Sequence, residues 1–188
     1  MRILLVASFV MTASVAHAER ATTVNLGAMF GGAERQVDEA VTMKPAGGPR
    51  ITLGWEHAPL AAPPVDGVAL DISIVPELTA GALMNDERGE VMVGVGARAE
   101  LRLAHRNAGL LKINARFALY IAARVMVVGE NQDTAVEGVL GEYIYLTARR
   151  SLRFGGEISL MSREQTTTNY AASREMGVFA SAYLGWAM

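Results

Sequence analysis

Charged side chains recur at every second position along several apolar segments, and they are the residues of this chain best placed to do chemistry. Held on one face of a strand, such charges can select ions along a pathway, or they can neutralise one another as interleaved ion pairs. Asp71 and Glu142 are further candidates for this set. Its main members are Arg98, Glu100, Arg102, Lys112, Arg116, Arg124, Arg153 and Glu157.

Catalytic and metal-binding patterns are weak by comparison. His57 and His105 are the histidines that remain beyond the first 18 residues, and both fall at the ends of apolar segments. Neither has a nearby serine–acid partnership that would activate a nucleophile. Two histidines this far apart also make a poor metal site. The sequence therefore predicts no catalytic residue, no metal site and no cofactor.

The segments that carry these charges alternate with a period of two. In 90–103 every second residue is apolar, and 111–125 and 178–188 repeat the pattern. This is the strand pattern, not the helical one. Shorter alternating runs occupy 24–30, 51–55, 68–74 and 152–163. The sixth segment, about 134–147, is irregular around 140–143, which suggests a bulge.

Eight such segments follow one another, with turn-like segments between them. Strands joined in sequence form a meander, and a meander of eight closes naturally into a barrel. The predicted fold is therefore an all-β, eight-stranded antiparallel up-and-down barrel. Pro76 disagrees with a closed wall, because a barrel has no free edge to hold a proline. Pro76 therefore predicts either a bulge in the third strand, or the end of that strand followed by a protruding hairpin.

The first residues have the pattern of a secretory signal. Arg2 precedes an apolar run at 3–15, and the small residues Ala16 and Ala18 stand at positions −3 and −1 of a cleavage site after Ala18. The predicted organisation is a signal peptide, 1–18, and a single barrel domain, 19–188. The formal net charge of −2 does not favour a nucleic-acid partner, which would need a basic surface.

Alternation alone does not say which face of the barrel meets the solvent, and four features favour a transmembrane barrel in lipid. The chain is predicted to be exported, and its charged face carries small residues such as Gly94 and Gly96. The predicted strands exceed the usual globular length of about 5–6 residues. The sequence stops on an apolar residue of the last alternating run.

That last run, 178–188, resembles the C-terminal strand of Gram-negative outer-membrane barrels, which serves there as an assembly signal. Trp186 stands two before the end, whereas Met188 occupies the final position, where that class usually has an aromatic residue. The chain also resembles the small eight-stranded members of this porin-like class in size and strand count. The resemblance implies the cell outer membrane as location, with outer-membrane lipid and the outer-membrane assembly machinery as partners.

With both termini periplasmic, as that class implies, the outer loops are predicted at 33–48, 85–89, 129–133 and 165–174. The inner turns are predicted at 58–66, 105–109 and 149–150. An aromatic girdle at the inner boundary would consist of Trp55, Tyr145, Phe154 and Trp186. Candidate surface contacts for an unknown partner are Thr166, Thr167, Thr168, Asn169 and Tyr170.

Four functions remain open at this point, of which an outer-membrane enzyme is the least favoured. An eight-stranded interior is only wide enough for side chains to fill, and buried charges must pair, so a filled, non-enzymatic barrel with a structural or surface-interaction role is preferred. A narrow channel for small solutes is the second; because positive residues outnumber negative ones in the charged set, it would favour anions. A soluble periplasmic barrel that binds a ligand is the third.

Overall fold

The computed structural model describes residues 21–37, 40–56, 60–61, 68–85, 89–105, 116–146, 152–165 and 173–188. Eight long strands and one two-residue strand, β3, lie in these ranges. They are β1 (Ala21–Val37), β2 (Ala40–Glu56), β3 (Leu60–Ala61), β4 (Val68–Asn85), β5 (Gly89–His105), β6 (Arg116–Val128), β7 (Asp133–Tyr145), β8 (Leu152–Gln165) and β9 (Ser173–Ala187). The signal peptide predicted for 1–18 lies outside the described residues.

The long strands form one closed antiparallel wall. Their order is β2-β1-β9-β8-β7-β6-β5-β4, with β3 beside β4, and an additional pairing of β2 with β4 joins the two ends of the sheet. Two backbone hydrogen bonds between Thr22 and Met188, 2.9 and 3.1 Å long, extend the seam between β1 and β9. Closure leaves no long strand without a neighbour. The eight-stranded up-and-down barrel predicted from the sequence is confirmed.

The side chains alternate between the inner and the outer face of this wall. The inner face is charged and the outer face is apolar, which is the reverse of a water-soluble protein. On β5, Arg98 and Glu100 are each 1% exposed, whereas Val91 on the other face is 68% exposed. The same division holds for β6, where Arg124 is buried and Ile121 is exposed. Charges therefore lie inside the barrel, and the outer surface is apolar.

The strand β7 is regular at the place where the sequence suggested a bulge. Its residues alternate between buried and exposed up to Ile144, and it pairs without interruption with both neighbouring strands. Tyr143 points inward and Glu142 outward, so Glu142 is not an interior residue. The prediction was wrong because the inner face of β7 also carries Ala135 and Val139, which blurs the difference in polarity between the faces.

Pro76 lies within a continuous β4 and has its half-buried side chain on the outer face. It pairs with Ala97 of β5. On the other side of β4, the ladder to β2 covers the residues after the proline and ends at the pair of Gly54 and Glu77, so Pro76 lies just outside it. A residue without an N–H is tolerated where a ladder stops. The strand therefore continues through Pro76, and both the predicted bulge and the predicted hairpin were wrong.

The predicted outer loop at 33–48 is mostly sheet. β1 extends to Val37 and β2 starts at Ala40, and these two residues pair directly. The prediction treated the glycines and Pro45 of this segment as loop signals. Here the glycines permit close strand packing, because a Cβ on Gly48 would collide with the backbone oxygen of Ala82.

The predicted inner turn at 58–66 contains the short strand β3, which pairs with β4. Among the other predicted connections, the turn at 129–132 is described in full. Gly129 has a φ of 73° there, a conformation that glycine adopts without strain. Its N–H donates to the carbonyl oxygen of Val91 at 2.8 Å, which fixes the turn against β5. Within the described ranges, no helix has the length and apolarity needed to cross a membrane.

Candidate functional site in the barrel interior

The barrel interior is lined by buried charged side chains, with equal numbers of positive and negative residues, so it is close to neutral as a whole. Arg163 and Asp133 form a separate group, described below. The other ten form the inner charge network: Arg50, Arg98, Arg102, Arg124, Arg153, Glu56, Glu77, Glu100, Glu137 and Glu157.

Arg124 is the centre of this network. Its Nε donates to Glu77 on β4 at 3.0 Å, and its Nη1 donates to Glu137 on β7 at 3.2 Å. Both terminal nitrogens donate to the carboxylate of Glu157 on β8, at 2.9 and 3.2 Å. The planar guanidinium suits this task, because its donors diverge in fixed directions towards several carboxylates. One side chain from β6 thus connects three other strands through the middle of the barrel.

A second group of ion pairs surrounds Glu100. Its carboxylate accepts hydrogen bonds from Arg98, from Arg102 at 2.8 Å and from the hydroxyl of Tyr143 at 3.0 Å. Arg98 also donates to Glu77 at 2.6 Å, and that carboxylate links this group to the centre of the network. Each charge here is balanced by a partner within hydrogen-bonding distance, as a buried charge requires.

The opposite side of the interior is joined by Arg50 and two tyrosines. Arg50 donates to Glu137 at 2.7 Å and to Glu157 at 3.3 Å. Tyr120 donates to Glu157 at 2.8 Å and lies 3.1 Å from the hydroxyl of Tyr183. The carboxylate of Glu157 therefore accepts from two arginines and one tyrosine, which satisfies its oxygens without water.

Towards the chain termini, Arg153 closes the interior. Its Nε and Nη2 donate to the side-chain oxygen of Asn25 at 3.0 and 2.9 Å, and its Nη1 donates to Glu56 at 2.9 Å. The guanidinium carbon also lies 4.7 Å from the ring centre of Tyr143, a favourable cation–π distance. Glu56 forms a second ion pair with Arg102 at 2.9 Å. These contacts connect β8 to β1, β2 and β5.

Beyond the centre of the network, the interior becomes apolar. Along β6, Met126 follows Arg124 on the inner face, and along β7, Ala135 precedes Glu137. Methionine suits such a layer, because its flexible thioether chain fills irregular space. This methionine layer consists of Met29, Ala46, Leu83, Met92, Met126, Val128, Ala135, Met161 and Phe179.

A further charged group, the rim cluster, lies beyond the methionine layer at the end of the barrel remote from Ala21 and Met188. Its centre is Arg163, two residues after Met161 on β8. Arg163 donates to Asp133 at 2.6 and 3.0 Å and to Glu90 at 2.5 and 3.0 Å. Glu175 lies 3.8 Å from the same guanidinium. The interior thus has three zones in sequence: charged, apolar and charged.

The structure brings together most of the charged residues that the sequence singled out. The side chains of Lys112, Arg116 and Asp71 lie outside the described residues. Buried inside the barrel are Arg98, Glu100, Arg102, Arg124, Arg153 and Glu157.

Several interior charges were missed, and most of them are acidic. Arg50 and Glu56 flank the alternating run at 51–55, so extending its phase by one residue at each end would have found them. Glu77 was missed because Pro76 was taken as a break. The excess of positive charge expected from the sequence is therefore wrong for the described interior, where six buried arginines face six buried acids.

Three of the predicted girdle residues, Trp55, Phe154 and Trp186, lie exposed on the outer face at one end of the barrel. Tyr145 was expected with them, but it is half-buried and packs against the interior, with its ring centre 5.3 Å from that of Tyr143. Tyr145 stands two residues after Tyr143 on β7, so both side chains lie on the inner face of the strand. For this reason Tyr145 does not join the tryptophans on the outer face. The predicted loop contacts at Thr166, Thr167, Thr168, Asn169 and Tyr170 lie outside the described residues.

A closed antiparallel barrel with charges inside and an apolar outer wall defines a class of protein. A barrel of eight long strands with this polarity has the architecture of the small outer-membrane β-barrels. No family model matches the sequence, and a search of curated proteins found no match.

Several solved structures are similar to the chain, among them the following two. One is Neisserial surface protein A (NspA), at 10% sequence identity and a TM-score of 0.46, with 88% of this chain and 97% of that chain covered. The other is the outer membrane protease OmpT from Escherichia coli, at 9% identity and a TM-score of 0.32, with 93% and 99% covered. The barrel closure described above follows from this chain's own strand pairing.

Proposed function

We propose that this protein is a non-enzymatic barrel of the outer membrane, closed to solutes, with a structural or surface-interaction role. The observation that carries the proposal is the inner charge network with the methionine layer next to it, since together they fill the interior with side chains that bind one another. Because these side chains bind one another, they hold the wall rigid. Few of their hydrogen-bond donors and acceptors remain for a substrate.

The polarity of the wall supports a lipid environment. Across three adjacent strands, Ile121, Leu140 and Ile158 pair with one another and are each about 60% exposed. In water such a continuous apolar surface promotes aggregation, whereas in a bilayer it is the required outer face. The third function considered above, a soluble barrel with a ligand in its interior, fits this distribution poorly, because its interior would be apolar and its surface charged.

The energetics of the interior support closure. An ion needs a continuous path past Arg124 and then past the methionine layer. Separating one buried charged group from its partners costs about 3–5 kcal/mol, and Arg124 has three carboxylate partners. Several such separations would be needed at once. The channel considered above is therefore the weaker proposal, and the equal numbers of buried charges remove the reason for an anion preference.

A surface role would fall to the outer end of the barrel. There the rim cluster ties β8 to β5, β7 and β9, so the strand ends that carry the connections are held in a fixed arrangement. Loops on such a scaffold are common sites of recognition. We propose that the segment with Thr166 to Tyr170, which leaves β8 just after Gln165, supplies contacts to a surface partner. Threonine, asparagine and tyrosine can each donate and accept hydrogen bonds.

Conductance in planar bilayers tests the proposal. The protein, inserted from detergent, should give no stepwise current above that of the empty bilayer. A variant with Arg124→Ser, Glu157→Ser and Met126→Gly widens both the network and the methionine layer, and it should conduct. This variant also reports that insertion occurs. Stepwise currents from the unmodified protein would overturn closure.

Membrane residence has a separate test that does not depend on conductance. The extracted membrane fraction is run on a detergent gel with and without boiling. A closed lipid-facing barrel should resist detergent until boiled, because its backbone hydrogen bonds leave no edge. Faster migration of the unboiled sample supports the outer-membrane barrel. Recovery of the protein in the soluble fraction, with no shift, would contradict it.

A further inference from the structure

A small cavity lies inside the barrel between β1, β2, β8 and β9. The space open to the centre of a water molecule amounts to about 10 Å³. Most of the lining surface is apolar, and the residues with polar side chains that border it include Asn25, Arg50, Glu157, Ser181 and Tyr183. The cavity therefore lies beside the inner charge network, and along β1 its lining ends at Ala28, next to Met29 of the methionine layer.

Two of the residues that border this cavity each carry a buried polar atom with no hydrogen-bond partner among the described residues. Arg50 is 6% exposed, and its two terminal nitrogens bind Glu137 and Glu157, but its Nε–H has no acceptor. The hydroxyl of Ser181 is also buried without a partner. A buried donor that loses its hydrogen bond is unfavourable by about 1–3 kcal/mol. Because both residues border the same cavity, one small molecule held there can bind both groups.

We propose that the cavity binds a single water molecule, which accepts a hydrogen bond from Arg50 Nε and shares a second one with the hydroxyl of Ser181. The volume is close to the roughly 10–15 Å³ that one water needs, and two to four polar partners are the usual number for a buried water. The charges select a neutral occupant. The carboxylate of Glu157 opposes an anion, and the guanidinium of Arg50 opposes a cation.

The chain supplies a matched control for this site. Ser159 is also buried with an unpartnered hydroxyl, but it does not border the cavity. Replacing either serine by valine exchanges the hydroxyl for a methyl group and adds a second methyl group inside the barrel. Only the replacement at Ser181 places these methyl groups beside the cavity.

The test is a crystal structure of the full chain at a resolution that shows ordered water, for the unmodified protein and for Ser181→Val and Ser159→Val. In the unmodified protein, a density peak should lie within hydrogen-bonding distance of both Arg50 Nε and Ser181 Oγ. The peak should be lost in Ser181→Val and kept in Ser159→Val. The absence of a peak in the unmodified protein, or its persistence in Ser181→Val, would overturn the proposal.

Crystals soaked in bromide distinguish water from an anion. No anomalous signal at the cavity is expected, and a bromide peak beside Arg50 would show that the site takes an anion instead. If Ser181→Val does not fold, the density and the bromide soak of the unmodified protein decide the question alone.

Discussion

Arg124 of β6 and Glu157 of β8 meet inside the barrel through two hydrogen bonds, Nη2 to Oε1 at 2.9 Å and Nη1 to Oε2 at 3.2 Å. The strand between them in the wall, β7, contributes Glu137 to the same guanidinium. This pair therefore joins strands that share no backbone ladder. The wall is held by backbone hydrogen bonds around its circumference, and the inner charge network adds connections through its centre.

Removing the centre of that network should be strongly destabilising. Arg124→Ala leaves Glu77, Glu137 and Glu157 buried with one positive partner fewer, and the free energy of unfolding should fall by about 3–5 kcal/mol. Urea-induced unfolding in lipid vesicles measures the change. Glu164→Gln, which alters an exposed charge on the outer face of β8, is the control and should change stability little. A loss below about 1 kcal/mol for Arg124→Ala would contradict the central role assigned to this residue.

A pair of glycines on β7 provides a sharper comparison. A Cβ on Gly141 would collide with the ring of Tyr120, whereas a Cβ on Gly138 meets nothing within 4 Å. Gly141→Ala should displace Tyr120 from Glu157 and lower the free energy of unfolding by about 1–3 kcal/mol. Gly138→Ala should leave it unchanged or raise it by up to about 1 kcal/mol. Equal effects at the two positions would show that Tyr120 is not packed as described.

The lipid-facing surface can be probed by a charge at its middle. Leu140 is 60% exposed, and its strand neighbours are Ile121 and Ile158. Leu140→Arg should lower the free energy of unfolding in vesicles by about 2–4 kcal/mol, since a charge on the lipid face is most costly near the bilayer midplane. Thr134→Arg, on the same face near the outer end, should cost about 0–1 kcal/mol. A neutral or stabilising Leu140→Arg would instead indicate a water-facing wall.

The two tryptophans report the depth of the inner boundary without any substitution. The chain contains only two, Trp55 and Trp186, and both are about 40% exposed on the outer face. In vesicles of brominated lipids, their fluorescence should be quenched most by bromines close to the headgroups and least by bromines at the bilayer midplane, as expected for an aromatic girdle. The strongest quenching at the midplane would contradict the predicted placement of the barrel.

The fold could be predicted from the sequence because its alternation is strongest where one face is charged. On β5, arginine and glutamate alternate with valine, alanine and leucine, so the period of two is plain. On β7 the inner face mixes Glu137 with Ala135 and Val139, and the same period became ambiguous. The alternation therefore predicted a strand well only where one face of the strand was charged and the other was apolar.

The candidate site was predicted less completely than the fold. Which charges pair depends on the arrangement of strands around the barrel, and alternation within one strand does not contain that information. Arg50 and Glu137 lie 87 residues apart and meet only because β2 and β7 face each other across the interior. Pro76 and the glycines near Gly48 were misinterpreted for a related reason: their neighbours on adjacent strands decide whether they interrupt the sheet.

The seam between β1 and β9 has a consequence for how the protein folds. Its pairs run from Thr23 with Ala187 to Arg35 with Glu175, so residues more than a hundred positions apart must meet before the wall closes. Such high contact order makes folding slow. Until β9 reaches β1, the growing sheet has two open edges, which a bilayer does not tolerate. In the proposed membrane setting, insertion and closure should therefore be coupled, and their rate should depend on the meeting of β1 and β9.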